Sequence, residues 1–290
     1  MYKIKNEILN VEISEHGAEI KAIKVKGVDV LHDSNPEYWN RSAPYLFPNI
    51  GTIKDKYTII NDKQYPLTKH GFIRDVDFEV VEKKESELIL KFNADDFTLN
   101  MYPFKFEFIV HYQLVNDEIK TLIEILNKDK ETMPFNFGLH PAFKIPFDGG
   151  SFEDYQIEFD KEINFDTPTV DLKTGTVDFN NPIRHFEKIK SLKLNHEDYQ
   201  FDALVVKPYP IHNVKIISPN NKQIIVKCDQ FKLLGIWTPY PKKAPFICIE
   251  PWIGYADKPN TNHQFNNKED LIYLKPNEKW SIEFSYQFKL

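Results

Sequence analysis

Phe104-Lys105-Phe106-Glu107-Phe108-Ile109-Val110-His111-Tyr112 alternates apolar and polar side chains, Asn116-Asp117-Glu118 turns the chain, and residues 119–127 alternate back. A period of two on both sides of a polar turn is the pattern of an antiparallel hairpin with one face buried. The same pattern recurs outward from this stretch. Residues 76–81 lead through Glu82-Lys83-Lys84-Glu85 into Leu88-Ile89-Leu90-Lys91-Phe92, and residues 8–14 and 18–26 alternate near the N-terminus. Further short runs lie at 155–159, 201–206, 214–218, 223–228, 233–237, 246–250, 271–274 and 280–288. No stretch sustains a helical period. Many short strands separated by Asn, Asp and Pro turns predict an all-β sandwich or barrel. With no internal repeat and no flexible linker, residues 1–290 are expected to form a single domain. Residues 160–195 are the least regular and are expected to be a long excursion over the surface.

Composition agrees with this class. Hydrophobic residues make up 41% of the 290, and 23 Phe, 14 Tyr and 4 Trp suit half-buried pleated surfaces. The formal net charge is −6 with the charges interspersed, so no basic stripe marks a nucleic-acid partner. The two cysteines, Cys228 and Cys248, sit inside strand-like runs and read as buried thiols. A disulfide is an alternative that a chain of this size does not need. Neither a CxxC pair nor zinc spacing occurs, and no metal is expected. The start, Met1-Tyr2-Lys3-Ile4-Lys5-Asn6-Glu7, is too polar for a signal peptide, and no apolar run reaches membrane-spanning length. These features predict a soluble, cytoplasmic protein with no membrane partner. Its oligomeric state is not legible.

Two apolar runs end in an ionisable residue followed by proline: Phe135-Asn136-Phe137-Gly138-Leu139 meets His140-Pro141, and Phe246-Ile247-Cys248-Ile249 meets Glu250-Pro251. Proline holds the preceding residue extended and is excluded from central strands, so each proline is expected to stop its strand. Histidine and glutamate are common proton carriers. For His140 the competing reading is a core histidine bonded to a carbonyl; for Glu250 it is a buried salt bridge. Burial would raise the Glu250 pKa, which suits a general base. Asp202 opens the run Ala203-Leu204-Val205-Val206, where a plain turn residue is the alternative. In His70-Gly71-Phe72-Ile73-Arg74, Gly71 permits a sharp bend that would turn His70 and Arg74 toward one cleft, though both also read as ordinary exposed residues. Trp237, Trp252 and Phe72 lie beside these positions and could stack on a ring or simply fill the core. The remaining histidines lack such context.

Taken in order, these pieces resemble the aldose 1-epimerase (galactose mutarotase) superfamily. The resemblance is carried by Pro48-Asn49-Ile50-Gly51 with Lys54-Asp55, His70-Gly71-Phe72-Ile73-Arg74, Gly138-Leu139-His140-Pro141-Ala142-Phe143, Phe201-Asp202-Ala203-Leu204, Ile249-Glu250-Pro251-Trp252 and Gly254-Tyr255-Ala256-Asp257. It spans nearly the whole chain and is nearest the LacX-like branch. It implies one large twisted β-sandwich with a sugar cleft, no cofactor, Glu250 as general base and His140 as general acid. His70, Arg74 and Asp202 would contact the sugar, with Trp252 and Lys54 as further binding residues. A protonated His140 beside an ionised Glu250, sustained by a neighbouring carboxylate, is the expected starting state. Where the family often carries arginine after the Ile-Gly pair, this chain has Thr52. Lys54 is the expected substitute, although an ammonium lacks the planar fork of a guanidinium.

Three readings follow from the resemblance: an enzyme exchanging hexose anomers, a non-catalytic sugar-binding sandwich, and a hexose 6-phosphate epimerase using Lys54 and Arg74 as cations. A glycoside hydrolase would need a flanking carboxylate pair and leaves His140 and His70 without a role.

Overall fold

The computed structural model describes residues 1–207 and 212–290. The alternating stretch forms the strands Phe106–Val115 and Glu118–Asn127, which pair antiparallel with Phe108 opposite Ile125 and Val110 opposite Ile123. Their inward side chains are sealed from solvent, as the period of two requires. They sit in an antiparallel sheet of nine strands. From one edge its order is Val177–Lys193, Gln156–Val170, Asn213–Ile217, Gln223–Lys227, Lys279–Lys289, Glu118–Asn127, Phe106–Val115, Glu87–Asn93 and Glu79–Lys83.

A second sheet faces it, in the order Leu204–Val206, Leu233–Trp237, Phe246–Ile253, Phe137–Leu139 and Tyr45–Leu46. The short strand Ala142–Lys144 also pairs with Phe246–Ile253. Aromatic side chains lock the two layers. Phe47 packs edge-on against Phe106 and Phe108 at 5.0 and 5.5 Å. The Tyr45 and Tyr112 hydroxyls meet at 2.6 Å, and Tyr112 donates onward to the Ala18 carbonyl. One hydrophobic cluster runs from Ile4 to Phe288. The all-β sandwich expected from the periodicity is what the chain forms; its one α-helical segment among the described residues is the single turn Asp96–Leu99, capped by Asp95. Cys228 and Cys248 are both buried thiols. No helix among the described residues is long and apolar enough to cross a membrane.

Two expectations are corrected. Residues 160–195 are not irregular, although their second strand lies largely at the surface. Gln156–Val170 and Val177–Lys193 form a long hairpin at the edge of the nine-stranded sheet. The pairing slips at several points and includes Pro168 opposite Pro182. Val177–Lys193 buries almost none of its side chains and so carries little alternation, whereas Gln156–Val170 places Ile157, Phe159, Ile163 and Phe165 in the core. Pro251, in turn, does not end its strand: Phe246–Ile253 runs through it and pairs Leu234 with Pro251. On its other side the pairing stops at Trp252 and resumes at Cys248. The missing proline amide therefore falls beside an interruption in the ladder, where it removes no pairing on that side. Pro141 does end its strand, which resumes at Ala142. That break sets His140 across from Glu250.

Candidate active site

The interrupted ladder forms the floor of a cleft of about 470 Å³, within the range of small-molecule sites. Side chains on Phe246–Ile253 alternate, so Glu250 and Trp252 point into the cleft from one face. His140 joins them, with its Nε2 3.1 Å from Glu250 Oε2. Only 1% of Glu250 and 7% of His140 is exposed. The His140 ring stacks on Trp39 at 4.5 Å and meets the edges of Trp237 and His70 at 5.5 and 5.6 Å. Aromatic contacts on these sides fix the direction of the imidazole.

Burial sets the electrostatics. It pushes the Glu250 carboxyl well above its usual range. Asp202 adds to the rise, while Lys69 and the Trp252 indole oppose it. Burial also pushes His140 well below the usual imidazole value, followed by the fields of Lys69, Arg74 and Arg41. This reverses the expected dominance of a neighbouring carboxylate over His140. Both partners are driven toward their neutral forms. A neutral carboxylic acid with a neutral imidazole holds the same single proton as a carboxylate with an imidazolium. The pair holds one proton in either form.

One wall carries His70, held by a bend that only glycine allows. Gly71 has φ +68°, and a Cβ there would lie 2.1 Å from the Phe47 carbonyl oxygen. The His70 amide donates to the Gly51 carbonyl, and the Gly51 amide donates to His70 Nδ1 at 3.1 Å. An accepting Nδ1 leaves the proton on Nε2, so His70 is a neutral donor. Burial, aided by Lys69 and Arg74, holds its pKa well below the ordinary value. Arg74 shares this wall. Its Nη2 donates to the Lys69 carbonyl, its buried Nε lies 3.8 Å from Asp75 Oδ2 without a hydrogen bond, and burial lowers its pKa to about 10. Arg41 bonds Asp75 and the Arg74 carbonyl, and exposed Lys69 completes a cationic side.

Across the cleft, Asp202 sits in a left-handed turn with φ +80° before Leu204–Val206, and its carboxylate caps the Ala203 amide. It lines the cleft from a turn rather than from within a strand. Glu250, His140, His70, Arg74, Asp202 and Trp252 therefore converge on one cavity. Lys54 does not. Its ammonium bonds the Pro259 carbonyl outside the cleft, so it cannot replace an arginine at position 52.

Sequence reasoning missed Trp39, Arg41 and Lys69, which sit in irregular segments without periodicity. It also missed the wall made by the long hairpin, whose tip brings Val170, Val177 and Phe179 to the cleft. Gly175 at that tip packs so closely that a Cβ would lie 2.2 Å from Thr52 Oγ1. The tip is tied down where Val177 donates to the Asp257 carbonyl and Phe179 meets Tyr255 edge-on at 4.8 Å. The Lys207 ammonium covers both rings. Asp257 links this wall to the rest of the site. Its amide donates to the Thr52 carbonyl, its carboxylate accepts from the Lys54 amide, and it pairs with buried Lys268 at 2.6 Å.

Comparison with known proteins places this geometry. The family model for aldose 1-epimerase matches residues 1–287. The plasmid-encoded protein LacX of Lactococcus lactis subsp. lactis is 30% identical over 283 residues, covering 94% of each chain. A galactose mutarotase related enzyme from Lactobacillus acidophilus superposes with a TM-score of 0.93 at 31% identity, over 99% of this chain and 96% of that one. A galactose mutarotase-like protein from Lactobacillus casei ATCC 334 gives 0.90 at 27% identity, over 99% of both. With its sandwich, its cleft and a match over essentially its whole length, the chain belongs to the aldose 1-epimerase family.

Proposed function

We propose that the protein interconverts the α and β anomers of a hexose by opening and reclosing the ring. The observation that carries this reading is the 3.1 Å contact between His140 Nε2 and Glu250 Oε2 on a buried cleft floor. In a hemiacetal the C1 hydroxyl and the ring oxygen share one carbon, so an acid and a base acting on them must be close neighbours. Glu250 as carboxylate takes the C1 hydroxyl proton, the bond from C1 to the ring oxygen breaks, and His140 as imidazolium protonates that oxygen. The products are an open-chain aldehyde and a neutral Glu250–His140 pair. Rotation about C1–C2 and the reverse steps give the other anomer. Ring opening turns a charged pair into a neutral one, and burial favours that neutral form. His70 as a neutral donor, Asp202 as an acceptor and Trp252 as a flat face supply contacts to hydroxyls and ring.

The cationic wall favours a second reading of the same chemistry, with a hexose 6-phosphate as substrate. Arg41, Lys69 and Arg74 border the cleft on the His140 side, and a phosphate is suited to several such donors. The test is anomer exchange by NMR or polarimetry with galactose, glucose and glucose 6-phosphate, alone and in competition. Acceleration over the spontaneous rate is expected, and the preferred substrate selects between the readings. Sugar binding without acceleration would leave a carbohydrate-binding sandwich and overturn the enzyme.

A further inference from the structure

The strand alternation puts Cys248 on the same face as Glu250, two residues earlier, where it packs with Ala142, Ala244 and Phe246 rather than lining the cleft. The ligand atoms of His140, Cys248 and Glu250 all lie within 4.8 Å of one another, and all three residues are buried. We propose that these three side chains form a site for a thiophilic divalent cation, zinc being the reference ion, and that the bound ion silences the acid–base pair. The silencing rests on the anomer-exchange reading; the binding does not.

The donor set decides the metal class. One imidazole nitrogen, one thiolate sulfur and one carboxylate oxygen suit zinc, whereas calcium and magnesium take oxygen ligands. With bonds of about 2.0 Å to nitrogen and about 2.3 Å to sulfur, the ligand atoms of a tetrahedral ion lie roughly 3–4 Å apart. The His140–Glu250 separation already meets this at 3.1 Å, and the thiol sulfur lies within 4.8 Å of both. Glu250 Oε1 has no hydrogen-bond partner among the described residues and is a further oxygen available to an ion.

Charge bookkeeping favours occupancy. Binding requires the Cys248 thiol to give up its proton, which burial and the neighbouring Glu250 oppose. One thiolate and one carboxylate then neutralise a dication, leaving no net charge in a buried place. Arg41, Lys69, Arg74 and His70 face the pair from one wall and weaken the affinity, while Asp202 from the other side strengthens it. The spacing of these residues shows no zinc motif because His140 lies in the break between Phe137–Leu139 and Ala142–Lys144, far in sequence from Cys248 and Glu250 on Phe246–Ile253.

The test uses the full chain stripped with a chelator. Cobalt(II) titration is expected to raise a near-ultraviolet thiolate-to-cobalt band in the wild type and none in Cys248→Ser. Cys248→Ser should weaken zinc by more than the roughly 10–100-fold that losing an outlying hydrogen-bond partner costs a metal site. Anomer exchange without metal should be little changed in that variant, and zinc inhibition should be reversed by chelator in the wild type. Absence of the thiolate band, or equal zinc affinity in Cys248→Ser and wild type, would overturn the proposal. Cys248→Ala makes the same comparison should the serine variant fold poorly. A protein that binds zinc through Cys248 but exchanges no anomers would refute the function and leave the site standing.

Discussion

Replacing Glu250 by glutamine separates what the carboxyl does for chemistry from what it costs the fold. The amide keeps the shape, and its N–H₂ can donate to His140 Nε2 across the present 3.1 Å. It can neither accept the hydroxyl proton nor return it. A positioned base contributes about 10²–10⁴ in rate, or about 3–5 kcal/mol at about 1.4 kcal/mol per tenfold. Glu250→Gln is therefore expected to lower kcat for anomer exchange by that factor, with KM little changed because the cleft walls are untouched. Stability should move the other way. In the folded protein burial raises the Glu250 pKa above the ordinary value of 4.5. The folded state thus holds the proton after the unfolded chain has released it. The wild type loses stability from about pH 4.5 upward, through the folded-state pKa. Glutamine does not titrate, so its stability advantage should start near zero in acid and grow with pH. NMR anomer exchange and urea unfolding across a pH series measure both halves. A rate within tenfold of wild type, or an advantage that shrinks as pH rises, would refute the reasoning.

Three further outcomes are expected. The rate should be bell-shaped in pH, because the pair works only with one proton; Lys69 lowers the pKa of both Glu250 and His140, so Lys69→Met should move both limbs to higher pH. Asp257→Asn leaves the Lys268 ammonium buried without its carboxylate and should cost about 3–5 kcal/mol in denaturant unfolding, much of it recovered when Lys268 is also changed to Met. Gly175→Ala forces a side chain into the left-handed region against Thr52, a strain of about 1–3 kcal/mol; the hairpin tip should yield, raising KM while kcat is largely retained, and an unchanged KM would show that the tip does not shape the cleft.

How far the site was readable depended on where each residue's signal lies. Phe106–Val115 buries every second side chain, so its structure is written in its own pattern. His140 and Glu250 stood out because an ionisable residue at the end of an apolar run is costly unless it has a purpose. The edge hairpin was not readable because Val177–Lys193 buries almost nothing, and in its partner strand the register shift between Glu158 and Ile163 interrupts the alternation that periodicity records. Pro251 misled for a related reason. A proline's effect depends on whether a neighbouring strand needs its amide, and the ladder interruption beside it arises from a chain segment more than a hundred residues away. Lys54 and Lys69 look alike as lysines near motif residues. Only the fold turns one away to the Pro259 carbonyl and leaves the other at the cleft.

The hairpin tip against Thr52 has a consequence for how relatives should be compared. The residues proposed to transfer the proton border one sheet, while the surface at the tip is lent by the edge of the other. An edge ribbon with slipped pairing tolerates insertions and substitutions that a buried floor strand does not. Two members of this family can therefore keep the same floor and diverge at the ribbon, changing which sugar is admitted without altering how it is opened. Reaction type should pass between such relatives more faithfully than substrate identity, and the ribbon between positions 156 and 193 is where their sugar preferences should be sought.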